Sequence, residues 1–157
     1  MFALLTTKTT HHIYYENQIY KNFKNIITIF ETKVIKPSFQ TNVNFEKKRD
    51  KHEKKVFFKN KKPKFKSKNF KFDNINNLKV VDILKKNKVK YLIVFGTKKI
   101  KSSILKLYKG KIFNLHGGNP EEYRGLDSHY WSIYHNDFNN LVSCIHILNK
   151  KLDDGKI

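Results

Sequence analysis

Residues 2–30, FALLTTKTTHHIYYENQIYKNFKNIITIF, decide the fold class of this chain. Phe2–Thr6 and Ile26–Phe30 are short apolar runs of the length that buried strands have. Thr9 or Thr10 is suited to cap a helix between them. A strand, a helix and a strand within about 30 residues form a βαβ unit, which predicts a parallel sheet. The apolar side of the helix would consist of Ile13, Tyr14, Ile19 and Phe23.

Three more apolar runs extend this pattern, and they lie at Lys90–Phe95, Lys111–Leu115 and Leu141–Leu148. The first is apolar almost throughout, as a central strand of a parallel sheet requires. Periodicity and capping residues predict helices between the strands. These helices would cover residues 45–58, 78–84 and 102–110, and a last one would start at Asp127 or Ser128. Leu78, Val81, Ile83 and Leu84 would form the apolar face of the second. The pattern predicts an α/β protein.

Two segments are predicted to be irregular within a single domain that spans residues 1–157. Pro37–Asn44 has the composition of a loop, and residues 59–71 form a lysine-rich loop or insert. So long an irregular segment is typical of a lid, a binding loop or a mobile insert. Aromatic residues among lysines can also stack on nucleic-acid bases. We favour the simpler interpretation that its aromatic residues anchor the loop on the domain; they are Phe65, Phe70 and Phe72.

The net charge of +20 and the pI near 9.9 are features that many nucleic-acid-binding proteins share. The charge comes almost entirely from lysine, because Arg49 and Arg124 are the two arginines of the chain. Sequence-specific nucleic-acid surfaces depend on arginine for bidentate contacts. We therefore favour solvated lysine faces over a nucleic-acid interface, and the charge would also attract an anionic small-molecule substrate.

Cysteine content and hydropathy narrow the cellular setting. The single cysteine, Cys144, excludes an internal disulfide framework, and its apolar surroundings favour a core position over a nucleophile. No run approaches the roughly 20 apolar residues of a membrane span. The N-terminal apolar run is too short for the core of a signal peptide. A cytoplasmic protein without membrane contact is the expectation.

Three motifs carry the chemistry: Phe113-Asn114-Leu115-His116, Tyr123-Arg124-Gly125 and Leu152-Asp153-Asp154-Gly155. An asparagine amide can donate a hydrogen bond to a developing oxyanion. A histidine moves protons near neutral pH, and an aspartate beside it orients the ring and favours its charged form. Asn114, His116 and Asp153 are therefore the side chains that transfer of an acyl-like group to an amine would use.

The order and spacing of these motifs resemble the formyltransferase family, which transfers a formyl group from 10-formyltetrahydrofolate to an amine. The segment His116-Gly117-Gly118-Asn119-Pro120-Glu121-Glu122 is similar to the corresponding segment of sugar N-formyltransferase-like proteins. It differs from the His-Pro-Ser-Leu-Leu-Pro motif of the purine-synthesis and initiator-tRNA enzymes. The resemblance covers Asn114 to Gly155 almost without a break, and by comparison with the family the domain is expected to be incomplete at its C-terminus.

The resemblance implies a three-layer, Rossmann-like, mostly parallel sheet with helices on both faces. It implies that Asn114, His116 and Asp153 are catalytic and that 10-formyltetrahydrofolate is the formyl donor. The residues implied to bind this folate are Phe95, Gly96, Thr97, Ile100, Leu152, Asp154 and Gly155. Tyr123, Arg124 and Asp127 are expected on the side of the amine, where Asp127 could equally be a helix cap. His11 and His12 follow the first strand at a helix N-terminus, and they would either contact the substrate or be ordinary loop residues. No metal is implied, and the seven histidines show no ligand spacing.

The acceptor that the resemblance favours is a nucleotide-linked amino sugar. Other readings stay open: a relative of methionyl-tRNA or glycinamide ribonucleotide formyltransferase, a formyltetrahydrofolate hydrolase, or an inactive basic fragment that binds nucleic acid. Arg124 would either hold its loop or pair with a carboxylate. The sequence leaves a homodimer open.

Overall fold

The computed structural model describes residues 1–33, 43–151 and 153–157, and for residues 43 and 44 it describes the backbone only. The strands are β1 Phe2–Thr7, β2 Ile26–Glu31, β3 Lys68–Phe72, β4 Tyr91–Phe95, β5 Ile112–Gly117 and β6 Ser143–Ile147. The α-helices are α1 Thr10–Asn22, α2 Val43–Phe58, α3 Leu78–Lys86, α4 Ser102–Leu107 and α5 Ser128–Tyr134. A short 3₁₀ helix, Phe138–Asn140, follows α5.

The described residues contain one six-stranded sheet with the order β3-β2-β1-β4-β5-β6. The first five of these strands are parallel, and β6 runs antiparallel to β5. Right-handed crossovers place α1 and α2 on one face and α3 and α4 on the other, because the chain reverses its direction across the sheet after β3. This arrangement confirms the predicted α/β fold with a mostly parallel sheet. The reversal puts the topological switch point between β1 and β4.

The hydrophobic core lies between the middle strands and the helices, and includes Leu5, Ile29 and Leu92, each fully buried. Two helices bury faces that differ from the predicted ones. In α3, Val80 and Leu84 are buried, whereas Leu78 at the start is 73% exposed. In α1, the buried residues are Thr10, His12, Ile13 and Glu16. Of the predicted apolar face, Ile13 is buried, Tyr14 and Ile19 are half-buried and Phe23 is exposed. Polar residues take the other interior positions, and hydrogen bonds satisfy Thr10 and Glu16 there.

The predicted lysine-rich loop 59–71 ends earlier than its composition indicated, since Lys68–Phe72 forms β3. This strand lies at the edge of the sheet and pairs with β2 alone. Phe70 and Phe72 pack against the core, and the ring of Phe65 lies 5.1 Å from that of Phe30. The aromatic residues therefore anchor this segment. Lysines are tolerated in an edge strand because they reach solvent, and they also hinder pairing with another sheet.

Other boundaries differ slightly from the predictions. Of the predicted loop Pro37–Asn44, residues 37–42 lie outside the described residues, and the last two already belong to α2. Asp127 occupies the N-cap position of α5 in a left-handed conformation, with φ of 59°. Within the described ranges, no helix combines the length and apolar character that crossing a membrane demands.

Candidate functional site

Strand β5 carries Asn114 and His116 to the carboxyl end of the sheet. Because the two residues are separated by one position, their side chains lie on the same face of the strand. Asn114 is the register partner of Val94 in β4 on one side and of His146 in β6 on the other. Asp153 follows β6 in a left-handed conformation, with φ of 44°. The antiparallel return of β6 thus brings the third motif residue beside the first two.

The Asp153 carboxylate is the hub of the cluster. One of its oxygens accepts a hydrogen bond from Asn114 Nδ2 at 3.2 Å and lies 3.4 Å from His146 Nε2. The other accepts from the backbone N–H of Gly125 at 2.9 Å and lies 3.6 Å from His116 Nδ1. The structure therefore brings Asn114, His116 and Asp153 into one cluster, although 39 positions separate Asn114 from Asp153.

His116 is almost enclosed, with an exposed fraction of 7%. Its Nε2 lies 2.9 Å from the carbonyl oxygen of Tyr123 and 3.3 Å from Ser128 Oγ. Its Nδ1 faces Asp153. Both ring nitrogens of His116 therefore face protein groups.

His146 is a member of the cluster that sequence reasoning missed. It is 1% exposed, and its Nε2 lies 3.0 Å from Asn114 Nδ2. In the neutral form Nε2 can accept the Asn114 hydrogen bond, and in the protonated form it can donate to Asp153. A histidine between Ile145 and Ile147 in an apolar run was the available signal. Its meaning depends on knowing that β6 pairs with β5 in the register that sets His146 opposite Asn114.

Arg124 and Asp154 form the outer rim of the cluster. Arg124 Nη2 lies 3.0 Å from Asp154 Oδ1, and its Nε donates to the carbonyl of Pro120 at 2.9 Å. Arg124 thus both holds its loop and pairs with a carboxylate. The ion pair is open to solvent, with side-chain exposures of 48% and 26%, so it contributes about 0–1 kcal/mol. Leu152 lies outside the described residues.

An open cavity of about 390 Å³ lies against this rim. Asp153 contributes to its wall. The full lining consists of Pro120, Glu121, Arg124, Asp153, Asp154, Gly155, Lys156 and Ile157. Of the residues that the resemblance implies for folate, this wall includes Asp154 and Gly155 and is formed without residues 95–100.

Tyr123 and Asp127 contribute differently from the expectation. The Tyr123 hydroxyl donates to Asp137 Oδ2 at 3.0 Å, and desolvation together with that carboxylate raises the pKa of the phenol. The hydroxyl is therefore directed to Asp137, while the backbone carbonyl of Tyr123 contacts His116. Asp127 is exposed at the start of α5.

His11 and His12 lie at the switch point, where α1 begins after β1. His11 Nδ1 pairs with Glu53 of α2 at 3.2 Å. His12 is 7% exposed, and its ring lies 4.3 Å from that of Phe95. Burial, and next the charge of His11, lower the pKa of His12 to about 3, so this ring is neutral at physiological pH. His11 thus pairs with α2 and the His12 ring packs inside the fold, and their contact with the amine substrate stays a prediction.

The loop after β4 contains the remaining predicted folate residues. Gly96 has φ of 70° and lies directly against the His12 ring. Thr97 is half-buried, with its hydroxyl bonded to the carbonyl of Lys98 at 2.9 Å. Ile100 is 2% exposed, and its side chain packs in the hydrophobic core.

Cys144 is half-buried in β6. Burial, and next the charge of Asp153, raise the pKa of its thiol. A neutral thiol is a poor nucleophile. The expected core position of Cys144 is therefore wrong, since it is half-buried outside the hydrophobic core, while the raised pKa disfavours a nucleophile.

The cluster has the parts that proton transfer at a carbonyl centre requires. A carboxylate in contact with two imidazoles can accept a proton and pass it on. An amide N–H and an imidazolium can stabilise negative charge on oxygen, which is usually the largest catalytic contribution. The geometry therefore fits general acid–base chemistry with an anionic intermediate.

Comparison with known proteins agrees with this chemistry. Residues 19–157 match the family model described as formyl transferase. Over 107 residues the chain is 38% identical to the bifunctional polymyxin resistance protein ArnA of Wigglesworthia glossinidia brevipalpis, a match that covers 66% of this chain and 16% of that protein. The chain thus spans about a sixth of the length of that relative.

Solved structures share the fold. The crystal structure of phosphoribosylglycinamide formyltransferase from Bacillus halodurans aligns with a TM-score of 0.63 and 15% identity, over 99% of this chain and 76% of the other. The enzyme of the same description from Anaplasma phagocytophilum aligns with a TM-score of 0.63 and 12% identity, over 98% and 67%. Because the family match covers most of the described residues, the chain belongs to the formyl transferase family.

Proposed function

We propose that this chain catalyses transfer of a formyl group from 10-formyltetrahydrofolate to a primary amine. The observation that carries the proposal is the contact of Asp153 with both Asn114 and His116 at the wall of an open cavity. In an α/β sheet, ligands bind at the carboxyl ends of the strands, where this cluster lies.

The residues divide the work of the reaction between them. The amine nitrogen forms a bond to the formyl carbon, and the carbonyl oxygen becomes an oxyanion. The Asn114 amide and the protonated His116 ring stabilise that oxyanion. Asp153 accepts the proton that the amine loses. The bond between the formyl carbon and the folate N10 then breaks as the His116 ring gives its proton to N10, and Asp153 passes the amine's proton to His116.

We infer that the acceptor is an amino sugar linked to a nucleotide. The sequence of residues 116–122 supports this acceptor, and so does the 38% identity to ArnA over 107 residues. The net charge of +20 would attract a phosphorylated substrate.

The test is a calorimetric titration of the chain with a stable analogue of 10-formyltetrahydrofolate, followed by an assay of formyl transfer to nucleotide-linked amino sugars. We expect saturable binding, and we expect His116→Ala to lower the rate of transfer by about 10²–10⁴-fold. His52→Ala is the matched control, because His52 is exposed on α2. A normal rate in His116→Ala would reject the catalytic assignment.

The same assay separates transfer from hydrolysis. A hydrolase would release formate from the folate without any amine present, whereas a transferase requires the amine. Formate release that is independent of the amine would reject the proposed function and favour the hydrolase.

A further inference from the structure

Two glutamates are completely enclosed in this fold. Glu16 of α1 is 0% exposed, and Glu31 at the end of β2 is 1% exposed. A buried carboxylate is unfavourable unless hydrogen bonds compensate for its lost hydration. Glu16 accepts from the backbone N–H groups of Lys66 and Ser67, the latter at 2.8 Å, at the start of β3. Glu16 therefore stabilises the backbone at the amino-terminal edge of the sheet.

Glu31 serves the opposite edge. Its Oε1 accepts from the backbone N–H of Lys98 at 2.7 Å, and its Oε2 accepts from the backbone N–H of Ile75 at 3.1 Å. Glu31 is the register partner of Thr7, so its carboxylate lies at the carboxyl end of β1. From there it links the segment after β3 to the loop after β4. One carboxylate thus joins two loops that the chain order keeps apart.

Asn76 adds a second link between the same two loops. Its Nδ2 donates to the carbonyl of Lys99 at 3.0 Å, and its Oδ1 accepts from the backbone N–H of Lys101 at 2.7 Å. Side chains thus hold the backbone of residues 96–101, which we name the β4 loop, at three of its six positions. This anchoring is unusual for a surface loop and indicates that its conformation matters.

The β4 loop follows β4 at the carboxyl end of the sheet, beside the switch point between β1 and β4. It begins after Phe95, next to Val94, which is the register partner of Asn114. Adjacent strands lie about 4.8 Å apart, so a ligand held against Asn114 has this loop beside it. Open α/β sheets bind their ligands in the crevice at the switch point. Backbone N–H and C=O groups of such a loop suit a flat heterocycle that presents donors and acceptors along one edge.

We propose that Glu31 is a positioning residue that holds the β4 loop in the conformation that binds the heterocycle of the formyl donor. This inference rests on the function proposed above. Glu31 acts through the backbone of Lys98 and does not itself touch the ligand. A carboxylate is required because it presents two acceptor oxygens, and each loop uses one of them.

Glu31→Gln is the sharpest perturbation of this link. The amide keeps one acceptor, so its NH₂ group must face the N–H of either Ile75 or Lys98, and one loop loses its hydrogen bond. Glu16→Gln is the matched control, because it makes the same change in an equally buried carboxylate that also accepts backbone N–H groups, at the other edge of the sheet.

The experiment measures three quantities for each variant: affinity for a stable 10-formyltetrahydrofolate analogue, unfolding by denaturant, and hydrogen exchange of the Lys98 amide. We expect both variants to be less stable than the wild type. Only Glu31→Gln should exchange the Lys98 amide faster and bind the analogue about tenfold more weakly, as loss of about one hydrogen bond predicts.

Asn76→Ala provides an independent variant, since Asn76 is half-buried and its removal leaves no buried charge. It should also weaken binding of the analogue, with little change in stability, and it decides the question if Glu31→Gln does not fold. The inference would be overturned if Glu31→Gln or Asn76→Ala loosened the β4 loop but bound the analogue with wild-type affinity. It would also be overturned if Glu16→Gln weakened binding of the analogue as much as Glu31→Gln does. Failure of the wild-type chain to bind the analogue would instead reject the proposed function itself.

Discussion

A comparison of Gly96→Ala with Gly110→Ala separates the energetic cost of a contact with His12 from the cost of the left-handed backbone. Both have φ of 70°, so an alanine at either position meets the same unfavourable left-handed backbone. At Gly110 an added Cβ would meet no atom of the described residues within 4 Å. At Gly96 the Cβ would overlap His12 Nε2 and would lie 2.8 Å from His12 Cε1. The difference between Gly96→Ala and Gly110→Ala therefore isolates the contact with His12.

The magnitudes follow from these contacts. The left-handed conformation costs alanine about 1–2 kcal/mol, and we expect Gly110→Ala to lose about 1 kcal/mol because alanine also restricts the unfolded chain. His12 is 7% exposed and packs against Phe95, so its ring cannot move away freely. Overpacking of this kind costs a further 1–3 kcal/mol, roughly. Gly96→Ala should therefore lower the free energy of unfolding by about 2–4 kcal/mol.

Urea unfolding of both variants measures these changes, provided that each transition is two-state. The double variant Gly96→Ala with His12→Ala adds a cycle. Removal of the ring opens space for the new methyl group, so the two changes together should cost about 1–3 kcal/mol less than their sum. Equal losses in Gly96→Ala and Gly110→Ala, or an additive cycle, would refute the claim that the His12 ring requires glycine at position 96.

Three further predictions concern the titratable groups. The pKa of His12 is about 3 in the folded chain, below the value of 6.5 expected in the unfolded chain. As the pH falls below 6.5, the unfolded chain therefore binds the proton first. This lowers the free energy of unfolding, by about 2 kcal/mol at pH 5. Urea titrations at several pH values should show that the free energy of unfolding depends less on pH in His12→Leu than in the wild type, and as strongly in His52→Leu as in the wild type. A wild-type dependence on pH in His12→Leu would contradict the lowered pKa of His12. Asp153→Asn replaces an acceptor oxygen of the hub by an NH₂ donor, so transfer should slow by about 10²–10⁴-fold in a single-turnover assay, while the exposed Asp82→Asn keeps its rate; a rate within threefold of the wild type would exclude Asp153 as the proton acceptor. His146→Phe keeps the ring but removes the acceptor of the Asn114 hydrogen bond, so kcat should fall by about tenfold with KM unchanged, and a change in KM alone would show that His146 acts in binding.

Much of the fold could be predicted from the order and character of the apolar runs. β1, β2, β4 and β5 lie within about two residues of their predicted bounds, since a central strand of a parallel sheet is apolar on both faces and so is visible in sequence. The edge strand Lys68–Phe72 could not be recognised in this way. It buries only one face, and its lysines resemble those of a loop.

The site was predicted in part, and the pattern of success has a physical cause. Asn114, His116 and Asp153 were identified from three local motifs, and the structure brings them into contact. His146 was missed and the core position of Ile100 was not predicted, because strand pairing and the burial of a single loop residue depend on the assembled sheet. Neither the pairing of two strands nor the burial of one loop residue can be read from the hydrophobic periodicity of a short stretch of sequence.

By itself, the sequence determined the order of strands and helices, the α/β class and the three motifs, because hydrophobic periodicity and turn residues act over a few neighbouring positions. Only the tertiary structure decided that β6 returns antiparallel to β5 and sets His146 opposite Asn114. It also decided that the interior face of α1 is polar and that Glu31 joins two distant loops. These features depend on contacts between residues far apart in the chain, and such contacts exist only once the sheet has assembled.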